Sequence, residues 1–312
     1  MAFRSGFVSI IGRPNAGKST LLNALVGEKV AIVTHKPQTT RNRIQGIVNT
    51  KNKKGKIVGQ VIFIDTPGVH KPDSPLSRRM MQEVYEALEG RDLVLLIVDV
   101  TQKFGAGDQF VLGLLKKVDS PAFLLLNKID LIDKRKLLAI IAEYSQRYDF
   151  KEVIPISATK KDGLKLLLEA VVNALPVGPR YFPEDQITDQ PERFLVSEII
   201  REKVLIVAAQ EVPYATAVVV EQFEEGEKLV RIAATIYCER EGQKAILIGQ
   251  RGAMLKKIGT SARLDIEKLL GTKVFLQLFV KIRENWRGSR AFLDDLDWRK
   301  QLEALASWPH ET

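Results

Sequence analysis

The chain has 312 residues, 45% of them hydrophobic, which is enough for two domains that each bury a core. A net charge of +9 favours a polyanionic partner. The single cysteine, Cys238, excludes an internal disulfide, and its place in a strand-like run predicts a buried, reduced thiol. No stretch approaches the roughly 18 to 20 apolar residues of a membrane-spanning helix, and the short N-terminal apolar run does not fit a signal peptide. We therefore expect a cytoplasmic protein.

The first motif lies between an apolar run at residues 7–11 and a helix-like run at residues 20–26. It comprises Gly12, Arg13, Pro14, Asn15, Ala16, Gly17, Lys18, Ser19 and Thr20. Its small residues let backbone N–H groups converge on phosphate oxygens at a helix N-terminus, and Lys18 adds a point charge. The hydroxyl of Ser19 can hold Mg²⁺. The motif therefore predicts a phosphate-binding loop, the P-loop.

The second motif follows an apolar run at residues 61–64 and consists of Asp65, Thr66, Pro67 and Gly68. At a strand end, Asp65 can hold the Mg²⁺ shell through water. The backbone N–H of Gly68 can reach a terminal phosphate.

Two further motifs predict recognition of guanine. Asn127, Lys128 and Asp130 follow an apolar run at residues 123–126, and the carboxylate of Asp130 can accept paired bonds from the ring N–H and amine of guanine. Adenine lacks this donor pair, so GTP and GDP should bind far more tightly than adenine nucleotides. The backbone of Ser157, Ala158 and Thr159, after a strand-like run at residues 153–156, is placed for the guanine oxygen.

Breaks in the helical pattern define the predicted domains. Pro176, Gly178, Pro179 and Pro183 end a helical stretch, so we place the first domain at residues 1–177 and a linker at residues 178–190. Upstream, apolar runs alternate with amphipathic stretches. This alternation predicts an α/β P-loop GTPase domain, a mainly parallel sheet flanked by helices with ligand loops at the strand carboxyl ends.

The second half predicts a smaller α+β domain at residues 191–288, followed by a helical tail at residues 289–312. Its order of helix, strand, strand, helix, helix, strand is that of a type II KH domain. Residues 244–290 hold 11 basic and three acidic residues, a candidate footprint for nucleic acid. A Gly-x-x-Gly loop between the adjacent helices can clamp about four nucleotides of single-stranded RNA. The predicted RNA-binding residues are Ile248, Gly249, Gln250, Arg251, Gly252, Lys256, Lys257 and Arg263.

Together these features resemble the Era family of GTPases, in the TrmE-Era-EngA-like superfamily, over nearly the whole chain. The other matching strings are Gln38-Thr39-Thr40-Arg41, Phe182-Pro183-Glu184-Asp185, Ile187-Thr188-Asp189, Glu211-Val212-Pro213 and Asn285-Trp286-Arg287. The resemblance implies a GTP-dependent factor in small ribosomal subunit assembly whose KH domain binds the 3′ end of the small-subunit RNA. It also implies a monomer with weak peripheral association at the inner face of the cell membrane. In one departure from the family, Gln250 stands where lysine is common.

The resemblance also implies catalytic roles for Asn15, Lys18, Thr40 and Gly68. Thr40 is preferred over Thr39 as the switch residue that closes on Mg²⁺, and Asn15 with the first switch would hold a K⁺ ion. Ras-like enzymes orient the attacking water with a glutamine just after the phosphate-sensing glycine, where this chain has Val69. We therefore expect slow intrinsic hydrolysis that K⁺ stimulates.

Several alternatives stay open at this point. One alternative concerns Arg41 and Arg43, which are either catalytic arginine fingers or, as we favour, solvated residues of a loop. Another concerns His70, which acts as a general base only if proton abstraction matters in phosphoryl transfer. Lysines at residues 51–56 mark a solvated hairpin tip or an RNA contact. An RNA-binding scaffold with little turnover and a membrane-recruited signalling GTPase remain alternative functions. For the second, residues 291–305 would be an amphipathic anchor, but their acidic residues favour packing on the KH domain.

Overall fold

The structure is a computed structural model that describes residues 2–36, 38–52, 54–208 and 212–300. The described residues form two compact units, one within residues 1–72 and 78–189 and one within residues 73–77 and 190–312. Three parts of the predictions lie outside the described residues: Lys53 of the lysine cluster, Glu211 of a family string, and the tail beyond residue 300. Among the residues described, no helix is long and apolar enough to cross a bilayer.

The larger unit is a six-stranded sheet with helices on both faces. Its elements are β1 (Arg4–Ile11), α1 (Lys18–Val26), β2 (Ile44–Lys51), β3 (Ile57–Asp65), α2 (Pro75–Leu88, of which residues 78–88 belong to this unit), β4 (Leu93–Asp99), α3 (Ala106–Leu115), β5 (Ala122–Asn127), α4 (Leu137–Ser145), β6 (Glu152–Ile156) and α5 (Leu164–Ala174). The strand order is β2-β3-β1-β4-β5-β6, and every pair is parallel except β2 with β3. The predicted mainly parallel α/β fold is confirmed.

Burial on both faces explains why the central strands read as continuous apolar runs. Leu93, Leu95 and Ile97 of β4 face one core, whereas Val94 and Leu96 face the other. Because parallel strands end at one edge, the loops after β1, β3, β5 and β6 gather there. All four predicted nucleotide motifs follow one of these strands.

The described residues of the lysine cluster lie at the tip of the β2–β3 hairpin. Asn52 accepts hydrogen bonds through its side chain from the backbone N–H groups of Lys54 and Lys56, at 2.9 and 3.1 Å. Lys51, Lys54 and Lys56 are exposed. The predicted hairpin is confirmed.

Residues 181–188 lie along the edge of the larger unit. The buried side chain of Gln60 accepts from the backbone N–H groups of Tyr181 and Phe182 and donates to the Phe182 carbonyl, at 2.9 to 3.0 Å. Further along, the backbone N–H of Ile47 donates to the carbonyl of Ile187 at 2.8 Å. The stretch that the sequence predicts as a linker is thus held on β2 and β3.

Within the described residues, the smaller unit has three strands and four α-helices. Its elements are α6 (Glu192–Val207), β7 (Ala217–Glu225), β8 (Leu229–Cys238), α7 (Glu241–Ile248), α8 (Ala253–Leu270), β9 (Lys273–Ile282) and α9 (Arg290–Asp295). The strand order is β7-β8-β9, with β8 and β9 parallel. The predicted α+β order of a type II KH domain is confirmed.

The core of this unit lies between α6, α7 and α8 and one face of the sheet. Cys238 is buried there as a free thiol, as predicted. Trp286 is fully buried after β9 and donates through Nε1 to the Ala215 carbonyl at 2.9 Å. Phe292 of α9 is also buried, with its ring edge-on to those of Trp286 and Tyr237. The described beginning of the tail therefore packs within the KH unit.

Candidate nucleotide site and RNA clamp

The P-loop joins β1 to α1 and turns at a left-handed residue. Gly17 has φ 103°, and a Cβ there would collide with the side-chain amide of Asn127. Only glycine fits this close approach without strain. The turn starts α1 at Lys18, so the first backbone N–H groups of the helix face the space where phosphates would lie.

Lys18 is buried and donates through Nζ to the carbonyls of Gly12 and Arg13, at 3.2 and 3.0 Å. Burial lowers the pKa of Lys18 to about 8, and the charge of nearby Asp65 opposes this shift. Burial likewise raises the pKa of Asp65 to about 6. Both ionised forms are disfavoured in the protein alone, and a phosphate anion and a cation would relieve this cost.

Ser19, Thr40 and Asp65 converge from the P-loop, the first switch and the end of β3; the first switch is the segment between α1 and β2. Ser19 Oγ lies 2.6 Å from Asp65 Oδ2 and 2.9 Å from Thr40 Oγ1. The second carboxylate oxygen of Asp65 is buried and has no hydrogen-bond partner among the described residues. Hard oxygen donors of this kind fit Mg²⁺. Thr39 instead donates to the Lys36 carbonyl at 2.6 Å, so Thr40 is the threonine at this position.

The base-recognition motif is joined to the other motifs through Asn127. Its side-chain amide donates to the Ala16 carbonyl at 2.8 Å and accepts from the Ala158 backbone N–H at 3.0 Å. Lys128 pairs with Asp99 at 2.6 Å, and Asp130 is exposed. Asn127 therefore ties together the P-loop and the loop after β6.

The other predicted residues lie around this centre. Pro14 contacts the loop of the second motif at Gly68, where an added Cβ would lie 2.8 Å from the Pro14 ring. The hydroxyl of Thr66 donates to the Ile10 carbonyl at 2.8 Å. Pro67, Ser157 and Ala158 are buried, Thr20 is partly exposed, and Thr159 is exposed.

Two side chains hold the tip of the P-loop. Asn15 donates through Nδ2 to the His35 carbonyl of the first switch at 2.9 Å. Arg13 pairs at 2.9 Å with Asp108, a buried residue that also accepts from the Gly105 backbone N–H. Sequence reasoning missed Asp108, and its only signal was an acidic residue in the first turn of α3.

The interpretation of Arg41 and Arg43 as solvated residues is wrong. Arg41 is buried. Arg43 pairs with Glu86 of α2 at 2.9 Å, and its backbone N–H donates to Glu83 at 3.0 Å. The acidic face of α2 therefore fixes the end of the first switch.

Val69 and His70 follow Gly68, the glycine predicted to sense the terminal phosphate. Val69 is buried in the core, so it cannot orient water. The ring nitrogen Nδ1 of His70 lies 2.8 Å from the carbonyl of Gly68. This contact fixes the ring beside the second motif.

The predicted RNA clamp forms the turn between α7 and α8. Gly249 and Gly252 have φ 70° and 78°, and Arg251 between them has φ 49°. A Cβ on Gly249 would lie 2.7 Å from the side chain of Met254. Gln250 and Arg251 are exposed at the tip, and Ile248 is partly buried.

Side chains of α8 extend the clamp along a shallow groove. Lys256 and Lys257 are exposed in it, whereas Arg263 pairs with Glu267 at 2.9 Å. The groove residues that sequence reasoning missed are Ala253, Thr260, Ser261 and Leu264. Their helical spacing on one face of α8 is a signal that could have found them.

This fold and these sites define a P-loop GTPase joined to a KH domain. A family model described as a 50S ribosome-binding GTPase matches residues 7–128, and one described as a KH domain matches residues 211–287. GTPase Era of Geobacter metallireducens is 53% identical over 95% of this chain and 98% of its own length. GTPase Era of Ruminiclostridium cellulolyticum is 49% identical over 96% of this chain and 99% of its own. The chain therefore belongs to the Era family of GTPases.

Solved structures agree with this assignment. Aquifex aeolicus Era bound to GDP·AlF₄⁻ has a TM-score of 0.90 and 36% identity, and the match covers 95% of this chain and 99% of that chain. An Era complex with MgGDPNP and nucleotides 1506–1542 of 16S ribosomal RNA matches with the same TM-score, identity and coverage.

Proposed function

We propose that this GTPase binds the 3′ end of small-subunit ribosomal RNA and acts in the assembly and maturation of the small subunit. The observation that carries the proposal is the match of the Era–RNA complex to 95% of this chain. The GTPase family model names the large subunit and covers only residues 7–128. Similarity over both domains favours the small subunit.

GTP and GDP occupy the P-loop in this proposal. Ser19 and Thr40 hold Mg²⁺ directly and Asp65 holds it through water, and bound Mg²⁺ neutralises charge on the phosphate oxygens. Lys18 and the backbone N–H groups of the P-loop and Gly68 contact the phosphates. Asp130 accepts from the guanine ring, and the backbone at residues 157–159 faces the guanine oxygen.

Catalysis rests on positioning and charge, because Val69 is buried and cannot orient water. Asn15, Lys18, Thr40 and Gly68 are the catalytic residues, and intrinsic turnover is slow. Asn15 already joins the P-loop to the first switch, where a K⁺ ion would stabilise developing negative charge. We expect faster hydrolysis in K⁺ than in Na⁺ buffer, and Asn15→Ala should remove the difference. Equal wild-type rates in the two buffers would exclude this role.

The domains in this proposal are the GTPase domain at residues 1–177, the linker at 178–190, the KH domain at 191–288 and the tail at 289–312. The protein is a cytoplasmic monomer with weak peripheral binding to the inner face of the cell membrane. The net charge of +11 over residues 1–180, from 28 basic and 17 acidic residues, supports attraction to anionic surfaces.

The clamp is tested by a double substitution, Gln250→Asp with Arg251→Asp. It places two carboxylates where the phosphate backbone should approach, so affinity for a 16S 3′-end RNA should fall at least about tenfold. GTP hydrolysis without RNA should not change. The matched control is Gln146→Asp with Arg147→Asp, the same residue pair exposed in the GTPase unit. Equal RNA affinity of both double variants would contradict the clamp.

An RNA-binding scaffold in which nucleotide sets shape with little turnover is the second candidate. Single-turnover hydrolysis of GTP, with and without the RNA, separates the two functions. The ordered Ser19–Thr40–Asp65 cluster favours turnover. A GTP half-life unchanged from that in buffer, in both conditions, would favour the scaffold.

A further inference from the structure

We propose that the open face of the KH sheet is a second RNA-binding surface, centred on Phe275 and Phe279 of β9. We call it the β9 face. The inference rests on the proposed function, because it extends the RNA contact beyond the clamp. The ligand that we propose for this surface is single-stranded RNA whose bases are unstacked.

The β9 face arises from strict alternation along the strand. Val274, Leu276 and Leu278 point toward the helices and pack in the core. Phe275 and Phe279 point away from it and are 46% and 47% exposed. Leaving two large rings half in water forgoes burial free energy, so an exposed aromatic pair on one strand indicates a contact surface.

Charge on the β9 face favours a polyanion. The outward side of β9 carries Lys273, Gln277 and Lys281 around the rings and no carboxylate. Next to it on β8, the guanidinium of Arg231 lies 5.8 Å from the centre of the Phe275 ring. Lys273 lies 3.9 Å from Glu267 and Lys281 lies 3.4 Å from Glu221, so phosphates would replace these carboxylates, whereas Arg231 stands directly beside a ring.

The acidic side chains of the sheet lie on the far strand, β7. Glu221 accepts from Thr235 at 2.7 Å and from Lys281 at 3.4 Å, and Glu224 is opposite Arg231. Glu221 reaches across β8 to Lys281, so we place the RNA around the rings and Arg231, away from this carboxylate. There the rings are four residues apart, about 13 Å along the strand, so each ring would stack on its own base.

RNA fits this surface better than a protein partner. Sheets that present aromatic side chains bind single-stranded RNA by stacking bases, and a KH loop clamps only about four nucleotides. The RNA in the Era complex runs from nucleotide 1506 to nucleotide 1542, so most of it lies beyond one clamp. The inner side of β9 packs on α7 and α8, so a strand leaving the clamp can continue over the β9 face.

The test is a double substitution, Phe275→Ala with Phe279→Ala, in the full chain. Affinity is measured for two probes, an RNA of nucleotides 1506–1542 and a four-nucleotide RNA that fills only the clamp. Lost stacking should weaken the long RNA at least about tenfold and leave the short one unchanged. Phe275→Trp with Phe279→Trp should restore long-RNA affinity, because tryptophan also stacks.

The matched control truncates two exposed leucines of the GTPase unit, Leu138→Ala with Leu166→Ala, and should leave both affinities unchanged. Hydrogen exchange in β7 and β8 reports that the KH unit of each variant is folded, and GTP hydrolysis without RNA reports the same of the GTPase unit. Unchanged affinity for the long RNA in the Phe275→Ala, Phe279→Ala variant would overturn the proposal and favour a protein partner for the β9 face. An equal loss of affinity for both RNAs would also overturn the proposal, because it would show that the substitutions damage the clamp. If the wild type binds neither RNA, the proposed function itself fails.

Discussion

At the nucleotide site, single side chains divide into those that hold the loops and those that face the ligand. The side-chain amide of Asn127 donates to the backbone of the P-loop through its NH₂ group and accepts from the backbone of Ala158 through its oxygen. Asp130, three residues later, is exposed at the same edge of the sheet. In the proposed site Asp130 reads the base, so a change at Asp130 should alter base selection without disturbing the order of the loops.

Asp130→Asn should exchange guanine for xanthine recognition. The amide of the substituted side chain places a donor opposite the donors of guanine, so the paired hydrogen bonds to the base are lost. At about 1–3 kcal/mol per lost bond, GTP affinity should fall about 100-fold or more. Xanthosine triphosphate should gain affinity. Calorimetric titration with both nucleotides measures this, with Asp133→Asn as an exposed control nearby. Unchanged GTP affinity would show that another group reads the base.

Cys238 should be inert in the folded protein. Burial raises the pKa of its thiol, so the reactive thiolate forms at higher pH than in the unfolded chain. The resulting stability is present below the unfolded thiol pKa of about 8.5 and is lost as pH rises past it. We expect reaction with a disulfide reagent only on unfolding. The Cys238→Ala variant should lose less stability above this pH than the wild type does. Fast labelling of the native wild-type protein would contradict burial of the thiol.

Among the structural elements, β2 has an unusual position. It is the edge strand of the GTPase sheet, it directly follows the first switch, and residues 181–188 are held against it. Gln60 of β3 makes the main attachment through three hydrogen bonds to this segment. The segment between the two domains is therefore fastened to the strand that a switch movement would reach first.

Gln60→Leu should release this segment. It leaves two backbone N–H groups and one carbonyl without their partner, a cost of about 1–3 kcal/mol for each group that stays buried. Trypsin should then cut after Arg180 faster than in the wild type, as followed by mass spectrometry. Gln82→Leu, an exposed change on α2, should leave the rate unchanged. Equal rates in Gln60→Leu and wild type would show that other contacts hold the segment.

Features set by residues close together in the chain could be predicted from the sequence, and contacts between distant residues could not. The nucleotide motifs and the Gly249–Gly252 turn were predictable, because each follows a local apolar run or sits between two helical patterns. The attachment of residues 181–188 and the pairing of Arg43 with α2 were not. These contacts join residues 40 or more positions apart, and no local periodicity records which distant side chain fills a hydrogen bond.

At the scale of the whole molecule, the two units have separate hydrophobic cores. Within the described residues, the packing of α9 rests on Trp286, which is fully buried, bonds to the Ala215 carbonyl and contacts Phe292. Loss of this side chain should therefore affect one unit and spare the other.

Trp286→Ala should cost about 3–5 kcal/mol of stability in the KH unit through the cavity that it leaves. Hydrogen exchange by mass spectrometry should show lost protection in β7 and β8 and unchanged protection in β1 and β4. Phe275→Ala, at a half-exposed ring of the same sheet, should change protection little. Equal loss in both units would mean that they unfold together.

The central claim is that one chain joins a guanine nucleotide site to an RNA clamp. Photocrosslinking of a thiouridine-substituted 16S 3′-end RNA to the protein in its GTP-analogue state tests it most directly. We predict crosslinked peptides from residues 244–263, around the Gly249–Gly252 turn. Crosslinks confined to the β2–β3 hairpin or to other parts of the GTPase unit would contradict the claim.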